Sequence, residues 1–216
     1  MTIAKRPSRG IDPDLLNFPE LPEFPQLVAG VDEVGRGALF GEVVAAAVIL
    51  PETAIEPLTK LGVRDSKKLS PQKREKLAIA IQAHALDWQI AAATVTEIDQ
   101  INILQASLLA MHRAVTNLKI TPHHCLVDGN QLIPNLSLPQ TTIIKGDATS
   151  LVIGAASILA KVWRDQQITE LALTYPHYDL ANNKGYGTPK HLAALRKYGI
   201  SPLHRQSFNL GIPYPN

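Results

Sequence analysis

The chain has 216 residues, 45% of them hydrophobic and 19% charged, the balance of one globular domain with a full core. A formal net charge of +2 is too small to imply a nucleic-acid partner by itself, and the longest apolar runs, residues 43–50 and 151–160, fall far short of the roughly 20 residues that cross a bilayer. One cysteine, Cys125, excludes an internal disulfide and, with no Cys/His cluster at ligand spacing, a structural zinc site.

Residues 1–25 carry Pro7, Pro13, Pro19, Pro22 and Pro25 among charges, a composition that disfavours helix and strand alike, and they are read as a mobile leader. No apolar secretory segment stands in MTIAKRPSRGIDPDLL, so a cytoplasmic location and no membrane partner are expected. Two β-branched-rich runs, 27–34 and 42–50, follow as strands joined by a glycine-punctuated connection holding Arg36. Asp32 and Glu33 lie inside the first run. A buried unpaired carboxylate costs several kcal/mol, so this pair asks for a counter-charge, either a metal ion or a cluster of basic groups.

Residues 51–68 read as a loop. Ser70 and Pro71 start a helix as N-cap and first residue, and Lys73, Arg74 and Lys76 in its first turns are read as a solvated face, with a phosphate-contacting face as the alternative. Residues 88–95 form a short strand. Thr96, with Asp99 three residues on, resembles the capping box of a second helix, whose buried stripe is Ile101, Leu104, Leu108, Met111, Val115 and Leu118, with the period running on to Lys119.

The run 123–129 is a short buried strand ending in Asp128-Gly129, and residues 141–145 form another that enters Gly146-Asp147. Strands alternating with helices predict an α/β fold with parallel members, in which ligands gather at the carboxyl ends of the strands. Asp32, Asp128 and Asp147 each follow an aliphatic run, so they are expected to converge. Ser150 opens a long helix, apolar nearly all round in its first half, where Asp165 is four residues beyond Lys161 and is read as its ion-pair partner. Beyond it, Lys184, Lys190, Arg196, Lys197, His204 and Arg205 alternate with Tyr178, Tyr186, Tyr198 and Phe208. That mixture suits a groove for a sugar-phosphate chain, or a solvated terminal helix.

The motifs VDEVGRG (31–37), DSKKLS (65–70), NIL (102–104), VDGN (127–130), KGD (145–147), AASILAKV (155–162), KGYG (184–187) and HRQSF (204–208) together resemble type 2 ribonuclease H, the ribonuclease HII family. The resemblance covers about residues 27–208. It implies a ribonuclease H-like mixed β-sheet flanked by helices, a catalytic domain over 26–175 and a helical substrate-binding extension over 176–216. The implied activity is endonucleolytic hydrolysis of the RNA strand of RNA–DNA hybrids and nicking of duplex DNA at embedded ribonucleotides, by a monomer.

By that resemblance Asp32, Glu33, Asp128 and Asp147 are the catalytic and metal-binding acids. Gly35, Arg36, Gly37 and Tyr186 recognise the ribose, while Lys67, Lys161, Lys184, His204 and Arg205 complete the substrate contacts. Phosphodiester hydrolysis needs an activated water and a stabilised leaving oxygen, which two divalent ions supply, and oxygen ligands favour Mg²⁺ or Mn²⁺ over zinc. Strict alternation sends Asp32 and Glu33 to opposite faces, so the strand is expected to kink or end between them. Ala38 and Glu42 stand where the family usually has prolines, and Gln206 where it commonly has arginine. A DNA-directed nuclease of the same fold, or a non-catalytic nucleic-acid-binding module, are the competing readings; intact acids speak against the second.

Overall fold

A computed structural model describes residues 27–63 and 69–210; the predicted leader and Lys67 lie outside the described residues. Five strands, β1 (Val28–Val34), β2 (Val43–Ile49), β3 (Asp87–Ala93), β4 (His124–Asp128) and β5 (Gln140–Ile143), form one sheet in the order β3-β2-β1-β4-β5. β1 pairs antiparallel with β2, and β2 with β3. β1 pairs parallel with β4, and β4 with β5. This is the mixed sheet expected from the sequence.

Every residue of β2, VVAAAVI, is buried, because helices cover both faces of the sheet. Ala29, Val31, Val43, Ala45 and Ala47 pack with α3 (Val95–Thr116) on one face. Val44, Ala46 and Val48 pack on the other with α5 (Leu151–Thr174), α1 (Glu52–Leu61) and α2 (Pro71–His84). The alanines and glycines let the layers close up: a Cβ on Gly30 would lie 2.3 Å from the carbonyl carbon of Val152, closer than any real contact. Small residues in β1 thus bring α5 down onto the strand that carries Asp32.

The segment expected to be a loop contains α1. Pro57 inside it argues against a helix from sequence, since an interior proline costs about 3 kcal/mol. Burial of Ala54 and Leu58 and a left-handed Gly62 that caps the last carbonyls offset that cost. Arg74 does not join a solvated face. It is 9% exposed, donates to the Leu69 carbonyl at 2.6 Å and stands 3.7 Å from Asp165.

The cap of α3 lies two residues before the predicted one. The capping box is Thr94 with Glu97, each accepting from the other's backbone N–H, and Asp99 is committed elsewhere: it accepts from the backbone of Gln206 and Ser207 and from the Ser207 hydroxyl. Asn102, at φ 68° and ψ 165°, breaks the helix, and its Oδ1 accepts from Leu104 and Gln105 as an internal N-cap. Ile101, counted on the buried stripe, is therefore 38% exposed. Thr94→Ala should cost about 1 kcal/mol, measured as a lower denaturation midpoint with unchanged activity per folded molecule.

After α5 the chain makes a 3₁₀ turn (Pro176–Tyr178), α4 (Gly146–Thr149) having preceded it, and then α6 (Leu180–Asn183) and α7 (Pro189–Tyr198). Thr188, Pro189 and Gly199 bound α7 as predicted. Tyr178, Leu180, Ala194, Leu195 and Leu210 bury themselves around Phe40 and Ile168. Phe40 comes from the β1–β2 connection, so this third core pins the Gly-Arg-Gly segment to the C-terminal region. Among the described residues, no helix is long and apolar enough to cross a membrane.

Candidate active site

Asp32 and Glu33 occupy the last turns of β1's pleat. The strand neither kinks nor ends between them, contrary to expectation, because pairing with β2 runs on through Asp32↔Ala46, Glu33↔Ala45 and Val34↔Val44. Pairing with β4 stops at Val31↔Val127. Asp32 points to the α5 side, where it is 4% exposed and takes a hydrogen bond from Ser157. Glu33 points to the α3 side, where Arg36 donates to it at 3.1 Å.

Asp128 ends β4 and is seen by both. It lines a small cleft with Glu33, Arg36, Gly129 and Asn130, and its charge opposes ionisation of Asp32 and of Glu33. Its Oδ1 accepts the Gly146 N–H at 2.7 Å. That bond draws the start of α4 against Asp128, and Asp147 is the next residue, 5% exposed. Lys145 makes the abrupt turn from β5 into α4 in the left-handed region, φ 58°. Four acids thus arrive from β1, β4 and α4 at one end of the sheet.

Burial is the largest force on Asp32, followed by the charges of Glu33 and Asp128, and together they hold its carboxyl well above the usual range. Burial raises Glu33 too, against the pull of Arg36. Among the described residues, no group of three or more His, Cys, Asp or Glu side chains is closed up into a ready-made metal cage. The donor chemistry nevertheless fits a hard divalent ion: the acids offer oxygen alone, and among the described residues no cation is paired with Asp32.

The Gly-Arg-Gly turn and Tyr186 meet directly. Ala38 and Tyr186 form an antiparallel bridge, and a Cβ built on Gly37 would lie 4.0 Å from Tyr186 Cε1. Lys161 Nζ and the Arg164 guanidinium each lie 5.6 Å from the Tyr186 ring centre. Gly35 is required by the protein itself: its φ is 93°, and a Cβ there would stand 2.2 Å from Arg164 Nε. Lys161 pairs with Asp165 at 2.8 Å, as expected.

A model of the family described as Ribonuclease HII matches residues 29–210. The chain belongs to the ribonuclease HII family. The ribonuclease HII of Trichormus variabilis is 60% identical over 194 residues, 90% of this chain and 86% of that protein. Ribonuclease H2 from Pyrococcus horikoshii OT3 superposes with a TM-score of 0.72 at 30% identity, over 85% of this chain and 94% of that one. The RNase HII in a PCNA:RNase HII complex from Archaeoglobus fulgidus gives 0.71 at 27%, over 83% and 92%. Ribonucleases HII are divalent-metal-dependent endonucleases that cleave RNA in RNA–DNA hybrids, and this chain is one of them.

Two residues expected to bind substrate in this ribonuclease HII are placed otherwise. His204 and Arg205 are wholly buried, so direct contact with a nucleic acid is corrected to a role inside the protein. Arg205 donates to the carbonyls of Arg36, Gly41 and Glu42 at 2.9, 2.9 and 3.1 Å. Lys184 turns toward α5, donating to Thr169 Oγ1 at 2.7 Å and to the Ala181 carbonyl, and Lys190 pairs with Asp179.

Sequence reasoning missed Ser157 and Arg164. Arg164 is 1% exposed and donates to the carbonyls of Glu42, Lys184 and Phe40 at 3.1, 2.8 and 3.0 Å. A lone arginine on the long apolar helix was the available signal, since burying one requires that all its donors be met.

Proposed function

We propose that this ribonuclease H nicks duplex DNA at single embedded ribonucleotides as well as cutting hybrids, with Asp32, Glu33, Asp128 and Asp147 holding Mg²⁺ or Mn²⁺ and Tyr186 with Gly35, Arg36 and Gly37 reading the ribose. The observation that carries this reading is the placement of Tyr186 against Gly37 and Ala38, at the end of the strand that supplies Asp32 and Glu33. A ribose seated there has its scissile phosphate beside the acids.

When bound, the divalent ions supply the activated water and the stabilisation of the leaving oxygen. The chain's own part is placement. Gly146 N–H fixes one oxygen of Asp128, Ser157 holds Asp32, and Arg36 restrains Glu33 while leaving half its own side chain exposed to meet a phosphate. Gly37 presents no side chain, so the backbone approaches the sugar closely. Only the 2′-hydroxyl separates RNA from DNA at one sugar, and in this reading the Tyr186 hydroxyl bonds it.

Residues 176–216 serve in this reading as the substrate-binding extension of a catalytic domain over 26–175. Lys161 and Lys184 reach phosphates by exchanging their present partners. In this reading the enzyme acts as a monomer in the cytoplasm, and the free thiol of Cys125 suits such a reducing compartment.

The deciding assay compares a duplex holding one ribonucleotide with the same duplex in DNA alone, with and without Mg²⁺. Cleavage mapped to the ribonucleotide is expected; equal cutting of both duplexes would favour a DNA-directed nuclease. Tyr186→Phe should cost about 1–2 kcal/mol in kcat/KM on that duplex, the scale of one hydrogen bond, and Tyr186→Ala more. If both variants nick at the wild-type rate, Tyr186 is not the reader.

A further inference from the structure

We propose that His191, His204 and Arg205 are positioning residues for ribose recognition: one buried turn at 204–205 holds both halves of the reader, the Tyr186 loop through a histidine relay and the Gly-Arg-Gly turn through a guanidinium. The inference rests on the reading that Tyr186 and that turn sense the ribose.

The relay has one consistent proton arrangement. The Ser201 backbone N–H donates to His204 Nδ1 at 2.9 Å, so this nitrogen is an acceptor and the proton of neutral His204 sits on Nε2. His204 Nε2 lies 3.1 Å from His191 Nε2 and therefore donates to it. His191 then carries its proton on Nδ1, which lies 2.9 Å from the Tyr186 carbonyl oxygen and donates to it. Burial, with His191 second, pushes His204 down to about 4, and burial lowers His191, so both rings are neutral at pH 7 as the arrangement needs.

The rings are boxed in by Tyr178, 4.6 Å from His204 and 5.9 Å from His191 between centres, and by Phe40 at 5.0 Å from His204. From the same turn, Arg205 reaches the carbonyls of Arg36, Gly41 and Glu42. The bridge Phe40↔His204 and the bond from Arg205 N–H to the Leu39 carbonyl complete the join. Tyr186 and Arg36 are thus fixed relative to each other through two adjacent buried residues that touch no solvent. A wrong distance between them would leave the 2′-hydroxyl unpaired without disturbing the acids.

The test reads discrimination, which loss of folded enzyme does not move. For each variant, the inhibition constant of an all-DNA duplex is divided by the KM for the same duplex with one ribonucleotide. His191→Leu, which removes the donor to Tyr186, and Arg205→Lys, which keeps the charge and loses the fork, should each lower this ratio about five- to tenfold, the worth of one hydrogen bond. His191→Asn, which keeps an N–H near the Nδ1 position, should retain most of it. Arg205→Lys decides alone if His191→Leu does not fold. A ratio that falls in Tyr186→Phe but stays at the wild-type value in the His191 and Arg205 variants overturns this inference alone. A ratio unchanged in Tyr186→Phe as well overturns the ribose-reading role, and the inference with it.

Discussion

Asp128→Asn should abolish Mg²⁺-dependent cleavage, lowering kcat by about a thousandfold or more, the scale on which several kcal/mol of charge stabilisation act. The substitution keeps the shape of the side chain and can still accept the Gly146 N–H through its carbonyl oxygen, so α4 should stay in place. What it removes is a negative charge that both Asp32 and Glu33 feel across the end of the sheet. Circular dichroism and the denaturation midpoint establish the fold, and a single-turnover assay at saturating Mg²⁺ reads the loss. Wild-type turnover in a folded Asp128→Asn protein would take Asp128 out of the site.

Asp32→Asn should kill the enzyme and stabilise the metal-free protein, a gain of roughly 3–10 °C in melting temperature for a chain of this size. Asp32 is held above its ordinary value of 3.8 by burial first and then by Glu33 and Asp128. With the native pKa raised, the folded state keeps its proton while the unfolded chain loses it. The associated stability is therefore fully present below about pH 4 and is lost as pH rises through the raised value. The metal-free wild type should thus melt lower near neutrality than at mildly acid pH, and Asp32→Asn should flatten that slope. Mg²⁺, binding the native state, should raise the wild-type midpoint more than the variant's. A variant that melts no higher than wild type at pH 7 without metal would mean that Asp32 carries no burial penalty.

The strand-end acids were legible because each lies in or just beyond an aliphatic run, where a charge has few structural reasons to be. The helices were legible where period and cap agreed, as at Ser70-Pro71 and Thr188-Pro189. α1 was hidden by Pro57, whose local cost is overruled by tertiary burial of Ala54 and Leu58. Thr94 and Thr96 each precede an acid by three residues, and local spacing does not separate a capping acid from one that ties down residues 206–207. The basic, aromatic C-terminal stretch was the hardest to read, since composition does not say which arginine faces out. Arg196 is exposed and Arg205 is sealed, a difference made by the third core around Phe40 and by carbonyls far away in the chain.

That last separation has a consequence for how the enzyme is made. Arg205 meets partners 163, 164 and 169 residues earlier in the sequence, while β1 and β2 are sequence neighbours whose pairing closes only a short loop. The strand bearing Asp32 and Glu33 therefore leaves the ribosome long before residue 205, and the Gly-Arg-Gly turn stays without its Arg205 bonds until that residue emerges. On the proposed reading of the site, the growing polypeptide presents Asp32, Glu33, Asp128 and Asp147 before it presents the guanidinium that fastens the ribose reader.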